Sequence, residues 1–499
     1  MAKQYDVIII GGGVVGSMMA RFLSQYEIQV LLIEKETDIG AGTSSANSAI
    51  MHAGYDPIPG TLKAKTNALA SPMWDQLSQE LGFAFERTGD YVVAIATDQM
   101  PMLEVLLDRG HQNGIPGVEL ISGAEMRHRE PLISPDTVGA LWAPTGGLID
   151  TFAVTIAAAE NAVMNGVEVQ LETFFEDFIW QGKRIVGIKT SRGDFYSRWV
   201  INAAGLFSDE VMHKAHVRPD FKIRPRRGEY VILDKADYRL TKNTCFFPTP
   251  SDKGKGIVVT STMHGNTIVG PNSNYVDSKD DKTFTKDGFT EIWQGAQKLI
   301  PSINRRNIIA VFSGLRANGN ARCLDPQVDY TGDFVIEIPT EVQGFVNVAG
   351  IESPGLSASP AIALMVIDLL KQAGEPFVKK PYWNPIRKAR PVFRHLTLEQ
   401  RAELVRQDPS YGRIICRCET VTEGEILAEI HAPIPARTYD AIKRRTWTGT
   451  GRCQGGFDMP RVVRMLSDEL GIPPEEVTKK GTGSPYLFRR TKDLAEVEK

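Results

Sequence analysis

The sequence predicts an α/β chain: a Rossmann-like parallel sheet at the N-terminal end, a mixed or antiparallel second layer, and a small helical module near the C-terminus. Three observations lead there. An apolar run, Tyr5-Asp6-Val7-Ile8-Ile9-Ile10, enters Gly11-Gly12-Gly13-Val14-Val15-Gly16, and a second strand closes on Glu34. Alternating strand patterns concentrate between residues 222 and 325. Three of the five cysteines, Cys416, Cys418 and Cys453, fall in the last fifth of the chain.

The first of these is a dinucleotide-binding signature. Gly11 permits a tight turn, Gly13 lets the backbone approach a pyrophosphate, and Gly16 lets the helix pack on the strand, so phosphate charge meets a helix N-terminus. Glu34 follows at about the ~20-residue spacing of an acid that accepts ribose hydroxyls. Val15, inside the turn, and Lys35, beside the acid, join the set. After it, Gly40-Ala41-Gly42-Thr43-Ser44-Ser45-Ala46-Asn47-Ser48 reads as a small polar loop whose hydroxyls, Thr43, Ser44 and Ser45 among them, suit a ligand cradle or a plain solvated loop.

Length and composition bound the rest. The chain has 499 residues, 42% of them hydrophobic, enough for two or three domains. A formal net charge of −3 favours neither nucleic acid nor a membrane as partner. No run of about 18 uncharged apolar residues is present, and the first strand begins almost at once, so the sequence predicts no membrane span, no secretory leader and a cytoplasmic location. Five cysteines, an odd number, make no disulfide framework.

Further along, Phe152–Asn165 has helical spacing and Val167–Leu171 alternates like a strand. Residues 198–205, ending in Asn202-Ala203-Ala204-Gly205, read as a strand returning to the first sheet. Glu229–Leu233 and Thr267–Gly270 belong to the substrate-facing layer. Gly344–Gly350 is a strand, followed by a second glycine-rich turn, Gly350 to Pro360 with Gly355, Leu356 and Ser357, and a helix through Leu370. Between Pro376 and Ile415 lie five prolines and nine Lys/Arg against three acids, which predicts a linker with interrupted structure and a solvated basic surface.

The second glycine turn distinguishes cofactors. It returns to the first from about 300 residues away, and a flavin bound along its length needs such an extra surface, with a helix aimed at its ring. Here the residues resemble a family, the FAD-dependent oxidoreductases of the D-amino-acid-oxidase and glycerol-3-phosphate-oxidase type. The matching strings are Gly11–Gly16; Gly42–Ser48 with His52-Ala53-Gly54; Asn202–Gly205; Lys255-Gly256; Gly265-Asn266; Gly270-Pro271; Gly314-Leu315-Arg316-Ala317; and Gly350–Leu356. They look most like the bacterial type II glycerol-3-phosphate dehydrogenase/oxidase branch, with 2-hydroxyglutarate oxidases as near cousins. The resemblance implies a glutathione-reductase-type FAD domain over residues 1–375. Its FAD-binding segments are about 1–80, 150–220 and 326–375, and its substrate-binding segments about 81–149 and 221–325. A linker over 376–412 follows, then a module over 413–470 and a tail over 471–499.

The implied reaction is oxidation of a small anionic hydroxy compound. Sn-glycerol 3-phosphate is the leading substrate, with a 2-hydroxy acid or an amino or imino acid as alternatives. An electron-transfer or scaffold subunit is the reading from another class. The resemblance places His52 beside the flavin as a base, or as a residue that merely holds the loop. It places Arg316 at the substrate anion, against an ion pair with Asp325 or Asp333, and it offers Lys255 as a second anchor, against a mobile surface turn. The acceptor is oxygen, a quinone at a membrane surface or a partner flavoprotein, and an oligomer is compatible with all of these.

Cys416-Arg417-Cys418 and Gly449–Phe457 with Cys453 resemble the ferredoxin-like module related to bacterioferritin-associated ferredoxin. In that pattern a fourth cysteine falls at the positions held here by Thr450 or Asp458. A [2Fe-2S] cluster, a zinc on Cys416, Cys418, Cys453 and Asp458, and a metal-free docking domain all stay open, because zinc accepts cysteine and aspartate alike.

Overall fold

The computed structural model describes residues 3–235, 244–250, 254–319 and 332–489. Strand Gln4–Ile10 lies between Val30–Ile33 and Gly193–Asn202, parallel to both, with Ile8 opposite Leu31 and Val200. Phe345–Ala349 extends the sheet beyond Gly193–Asn202, pairing Val346 with Ile201. Ile8, Ile9, Leu31 and Leu32 are fully buried, since a parallel sheet covered on both faces needs near-continuous apolar strands. Helices Val14–Leu23, Thr151–Met164 and Gly355–Gln372 close one core. The antiparallel pair Phe175–Gln181 and Arg184–Thr190 lines another.

Among the described residues the second layer is a nine-stranded sheet. Its spine is the antiparallel pair Ile223–Leu233 and Ile308–Gly319, and one parallel contact, Cys245–Pro248 on Asp90–Ala94, makes it mixed. Helix Lys286–Leu299 packs Ile292 and Trp293 beneath it. Among the described residues no helix is long and apolar enough to cross a membrane.

The stretch read as an interrupted linker departs from expectation in two ways. It contains a helix, Leu398–Gln407, opened by a capping box in which Thr397 and Gln400 satisfy each other's backbone amides. That signal was present in the sequence, but the surrounding prolines outweighed it. Three of the basic residues, unlike the exposed Lys379, Lys388, Arg406 and Arg413, are also not part of a solvated surface. Arg387 and Arg390 both hold Glu160, Arg390 reaches Glu429 at 3.1 Å, and Arg394 holds Glu419.

The module folds helices Glu423–Ile430, Tyr439–Thr446 and Met459–Leu470 around Ile426, Ile442, Val462 and Leu466. The segment expected to be a tail contributes to that core through Val477 and Tyr486. Arg444 and Arg445 reach Asp38, each at 2.6 Å, and Ile434 enters the core of the first sheet. The module is therefore seated on the sheet that carries the glycine turn.

Candidate functional site

At the first turn the backbone geometry accounts for the glycines. Gly11 has φ +110°, and a Cβ there would lie 2.5 Å from the Ala203 carbonyl oxygen; one on Gly16 would lie 2.0 Å from the Gly11 oxygen. A Cβ on Gly13 would meet only Ser44 Oγ, at 3.2 Å, and one on Gly42 or Gly205 would meet nothing within 4 Å. Backbone is thus open to a long ligand along this path, which fits a dinucleotide. At the helix N-terminus Val14 N donates to Ser44 Oγ at 2.9 Å, so a hydroxyl already meets a donor of the kind that binds phosphate. Val15 follows, half-buried.

Glu34 accepts from Gly12 N at 2.7 Å and Glu36 N at 3.0 Å, and burial raises its pKa from the ordinary carboxylate value. Lys35 pairs with Glu36 at 2.8 Å and lies over the Phe207 ring. Thr43 Oγ1 donates to the Leu315 oxygen and Ser45 Oγ to the Gly42 oxygen. Ala204 N donates to Asn202 Oδ1 at 3.2 Å.

The return turn meets this path at His52. Gly350 has φ +67°, and Gly355, Leu356 and Ser357 open the Gly355–Gln372 helix. Ser357 Oγ accepts from His52 N at 2.9 Å, and Ser353 Oγ lies 3.1 Å from His52 Nε2. The return turn, some 300 residues away in sequence, therefore holds His52 twice, at its backbone N–H and at its imidazole. Burial first, then the charge of Lys255, pushes the His52 pKa down to about 3, with Asp56 opposing. Lys255 Nζ pairs with Asp56 Oδ2 at 3.0 Å. Neighbouring Lys253 lies outside the described residues.

On the other side of the return turn, Glu352 receives Lys63 Nζ at 2.9 Å, Arg226 Nη2 at 2.8 Å and Asn318 Nδ2 at 3.1 Å. Although burial opposes ionisation, Lys63 and Arg226 hold its pKa down to about 2. Arg316, on the Ile308–Gly319 strand, donates from Nη2 to the Asn272 carbonyl at 2.6 Å and feels both Arg226 and Glu352. Among the described residues it forms no salt bridge. Asp333, one expected competitor for it, instead accepts from Leu62 N and Lys63 N at 2.7 and 3.0 Å. Asp325, the other, lies outside the described residues. Three cations thus face one acid.

The structure brings His52 and Lys255 together and sets Arg316 beyond the Glu352–Ser353 dipeptide. It also collects Asp56, Lys63, Arg226 and Asn272, which sequence reasoning did not single out. Glu352 was not singled out either, although a charge inside the glycine-rich return string is a signal that could have found it.

In the module, Cys418 Sγ and Cys453 Sγ lie 3.0 Å apart. Cys416 is buried, takes Gly449 N at 3.5 Å, and has its pKa pushed up to about 12 by burial, with a lesser contribution from Asp458. Asp458 accepts the Tyr439 hydroxyl at 2.5 Å. No three His, Cys, Asp or Glu side chains gather as a metal-holding group among the described residues. The four candidate ligands fall into two pairs instead of one tetrahedron, and they do not complete the four-thiolate set that iron–sulfur clusters normally take.

Residues 6–369 match the family of FAD dependent oxidoreductases, and residues 414–463 match the BFD-like [2Fe-2S] binding domain. A glycerol 3-phosphate dehydrogenase from Caloramator mitchellensis is 44% identical over 491 residues, 98% of this chain and 99% of the relative. A glycerol 3-phosphate oxidase from Mycoplasma genitalium is 32% identical over 400 residues, 77% of this chain and 98% of the relative. The dithionite-reduced L-alpha-glycerophosphate oxidase from Mycoplasma pneumoniae with FAD bound superimposes with a TM-score of 0.72 at 30% identity, covering 78% of this chain and 100% of that one.

Proposed function

Because the chain belongs to the family of FAD dependent oxidoreductases, we propose that it oxidises sn-glycerol 3-phosphate to dihydroxyacetone phosphate. The observation that carries this reading is the return turn, which sets a neutral imidazole on one side and a surplus of cationic charge on the other. The names of the similar proteins from Caloramator and Mycoplasma point to the same substrate.

FAD, when bound, supplies the hydride acceptor. Gly11, Gly13, Gly16 and Ser44 would hold its pyrophosphate, Glu34 its ribose, and the turn from Gly350 to Ser357 its ring end. His52 takes the hydroxyl proton from the alcohol. Its ring is neutral in the free protein, which is the accepting form, and an anion bound beside Lys255 offsets the positive charge that otherwise resists imidazolium formation. Arg316 grips the anionic end through a planar guanidinium suited to two hydrogen bonds, and Lys255 adds a point charge. Lys63 and Arg226 already satisfy Glu352, so the carboxylate does not cancel Arg316. The cytoplasmic location and an acceptor that is oxygen, a quinone or a partner flavoprotein belong to the same proposal.

An anaerobic titration of the flavin-loaded protein tests it. Sn-glycerol 3-phosphate should bleach the flavin at lower concentration than 2-hydroxyglutarate or any amino acid in the same series. Bleaching by a hydroxy acid or amino acid in preference would overturn the substrate assignment and leave the fold assignment intact.

A further inference from the structure

Two of the three module thiols are in contact, and neither is sealed from solvent: Cys418 and Cys453 are both half-buried with their sulfurs 3.0 Å apart. The third thiol, Cys416, is buried and turned to Gly449 N and Asp458. The two positions are braced against the same corner of the second layer. Glu419, next to Cys418, takes Lys235 at 2.9 Å and also holds Arg394; Arg452, next to Cys453, takes Asp234 at 2.6 Å. These ion pairs tie the residues beside both sulfurs to adjacent positions of one strand end. A fourth cysteine is absent, Thr450 and Asp458 standing at the places the pattern would use.

We propose that Cys418 and Cys453 form a redox-active dithiol that closes to a disulfide by exchange with a small-molecule or protein disulfide. Closure asks the sulfurs to approach by about 1 Å, to a bond of about 2.05 Å. One protein thiolate attacks the external disulfide, forms a mixed disulfide and releases one external thiolate. The other protein thiolate then attacks the protein-bound sulfur and releases the second. Two protein thiols are oxidised, one external disulfide is reduced to two thiols, and the two protons pass to the departing thiolates. Bonds of this kind in a reducing compartment are transient and report redox state.

The test uses the full-length flavin-loaded protein. After incubation with oxidised glutathione and alkylation of the remaining thiols, peptide mass spectrometry under non-reducing conditions should find Cys418 joined to Cys453, with the link lost after dithiothreitol. C416S should still close. C418S should instead carry glutathione on Cys453, and C453S gives the mirror result if C418S does not fold. Cys418 and Cys453 both remaining fully alkylatable after excess oxidised glutathione would overturn the proposal. So would protein prepared without oxygen that holds two irons and two sulfides per chain and keeps both thiols protected.

Discussion

At the return turn, Lys63 and Arg226 converge on Glu352 with Arg316 close behind. Under the module, Arg387, Arg390, Arg444 and Arg445 converge on Asp38, Glu160 and Glu429. Both places set cations around carboxylates, and the acids at the centres, Glu352 in one and Asp38, Glu160 and Glu429 in the other, are all nearly inaccessible. The difference lies in the balance. Beneath the module every one of the four guanidiniums ends on a carboxylate, so the cluster is closed and binds one part of the chain to another. At the return turn one guanidinium, that of Arg316, ends on a carbonyl oxygen and has no carboxylate of its own among the described residues, which supports the proposed grip on an anion. The two clusters thus differ in whether every guanidinium has an acid of its own, Arg316 being the exception.

The sharpest test concerns His52, the proposed base beside the return turn. His52→Ala should slow flavin reduction by roughly 10² to 10⁴-fold at neutral pH, the ordinary contribution of a general base, measured in single turnovers with flavin content unchanged. Reduction within a few-fold of the parent would leave His52 as a residue that only holds the loop. The same variant should lose an acid sensitivity. The unfolded parent takes up a proton on His52 from about pH 6.5 downwards, whereas the folded form does so only near 3. Parent stability therefore falls as pH drops through that window, and the slope should flatten when His52 is gone.

Next in size, Glu160→Gln should cost about 3 to 5 kcal/mol of stability, because it strands Arg387 without a carboxylate and leaves Arg390 only Glu429. Denaturant unfolding measures this, and the Michaelis constant of surviving protein should stay put. A shifted Michaelis constant with unchanged stability would collapse the distinction between joint and site. Arg316→Ala should do the converse, losing about 2 to 5 kcal/mol of interaction with the substrate anion, tens-fold or more in apparent affinity, while flavin content and unfolding midpoint hold. The smallest effect expected is at Thr397→Ala, about 1 kcal/mol from the loss of a helix cap. It should leave turnover untouched.

What could be read from sequence followed the range of the interactions. Gly11 and Gly16 were legible because local backbone geometry excludes a side chain there, and the two glycine turns pointed to a flavin before any contact was known. His52, Lys255 and Arg316 stood out through the strings around them. Glu352 did not acquire its partners until folding joined it to Lys63, 289 residues away. The pairing of Asp38 with Arg445 spans 407 residues and leaves no periodic trace in the chain. The linker arginines looked solvated for the same reason, since nothing near them in sequence announces Glu160 or Glu429.

Asp150 shows what that long-range wiring imposes on the gene as a unit of inheritance. One oxygen of this carboxylate caps the Thr151–Met164 helix through Phe152 N and Ala153 N, and the other takes His264 Nε2 at 3.0 Å and Trp447 Nε1 at 3.3 Å. A single side chain thus serves the sheet that carries the glycine turn, the second layer and the module at once. A shortened descendant ending near residue 375 would strip Trp447 from it, unseat Ile434 and leave Asp38 and Glu160 without their arginines. Such a truncation would leave the buried carboxylates Asp38 and Glu160 without their guanidinium partners, a cost to stability that replacements at those positions would have to offset.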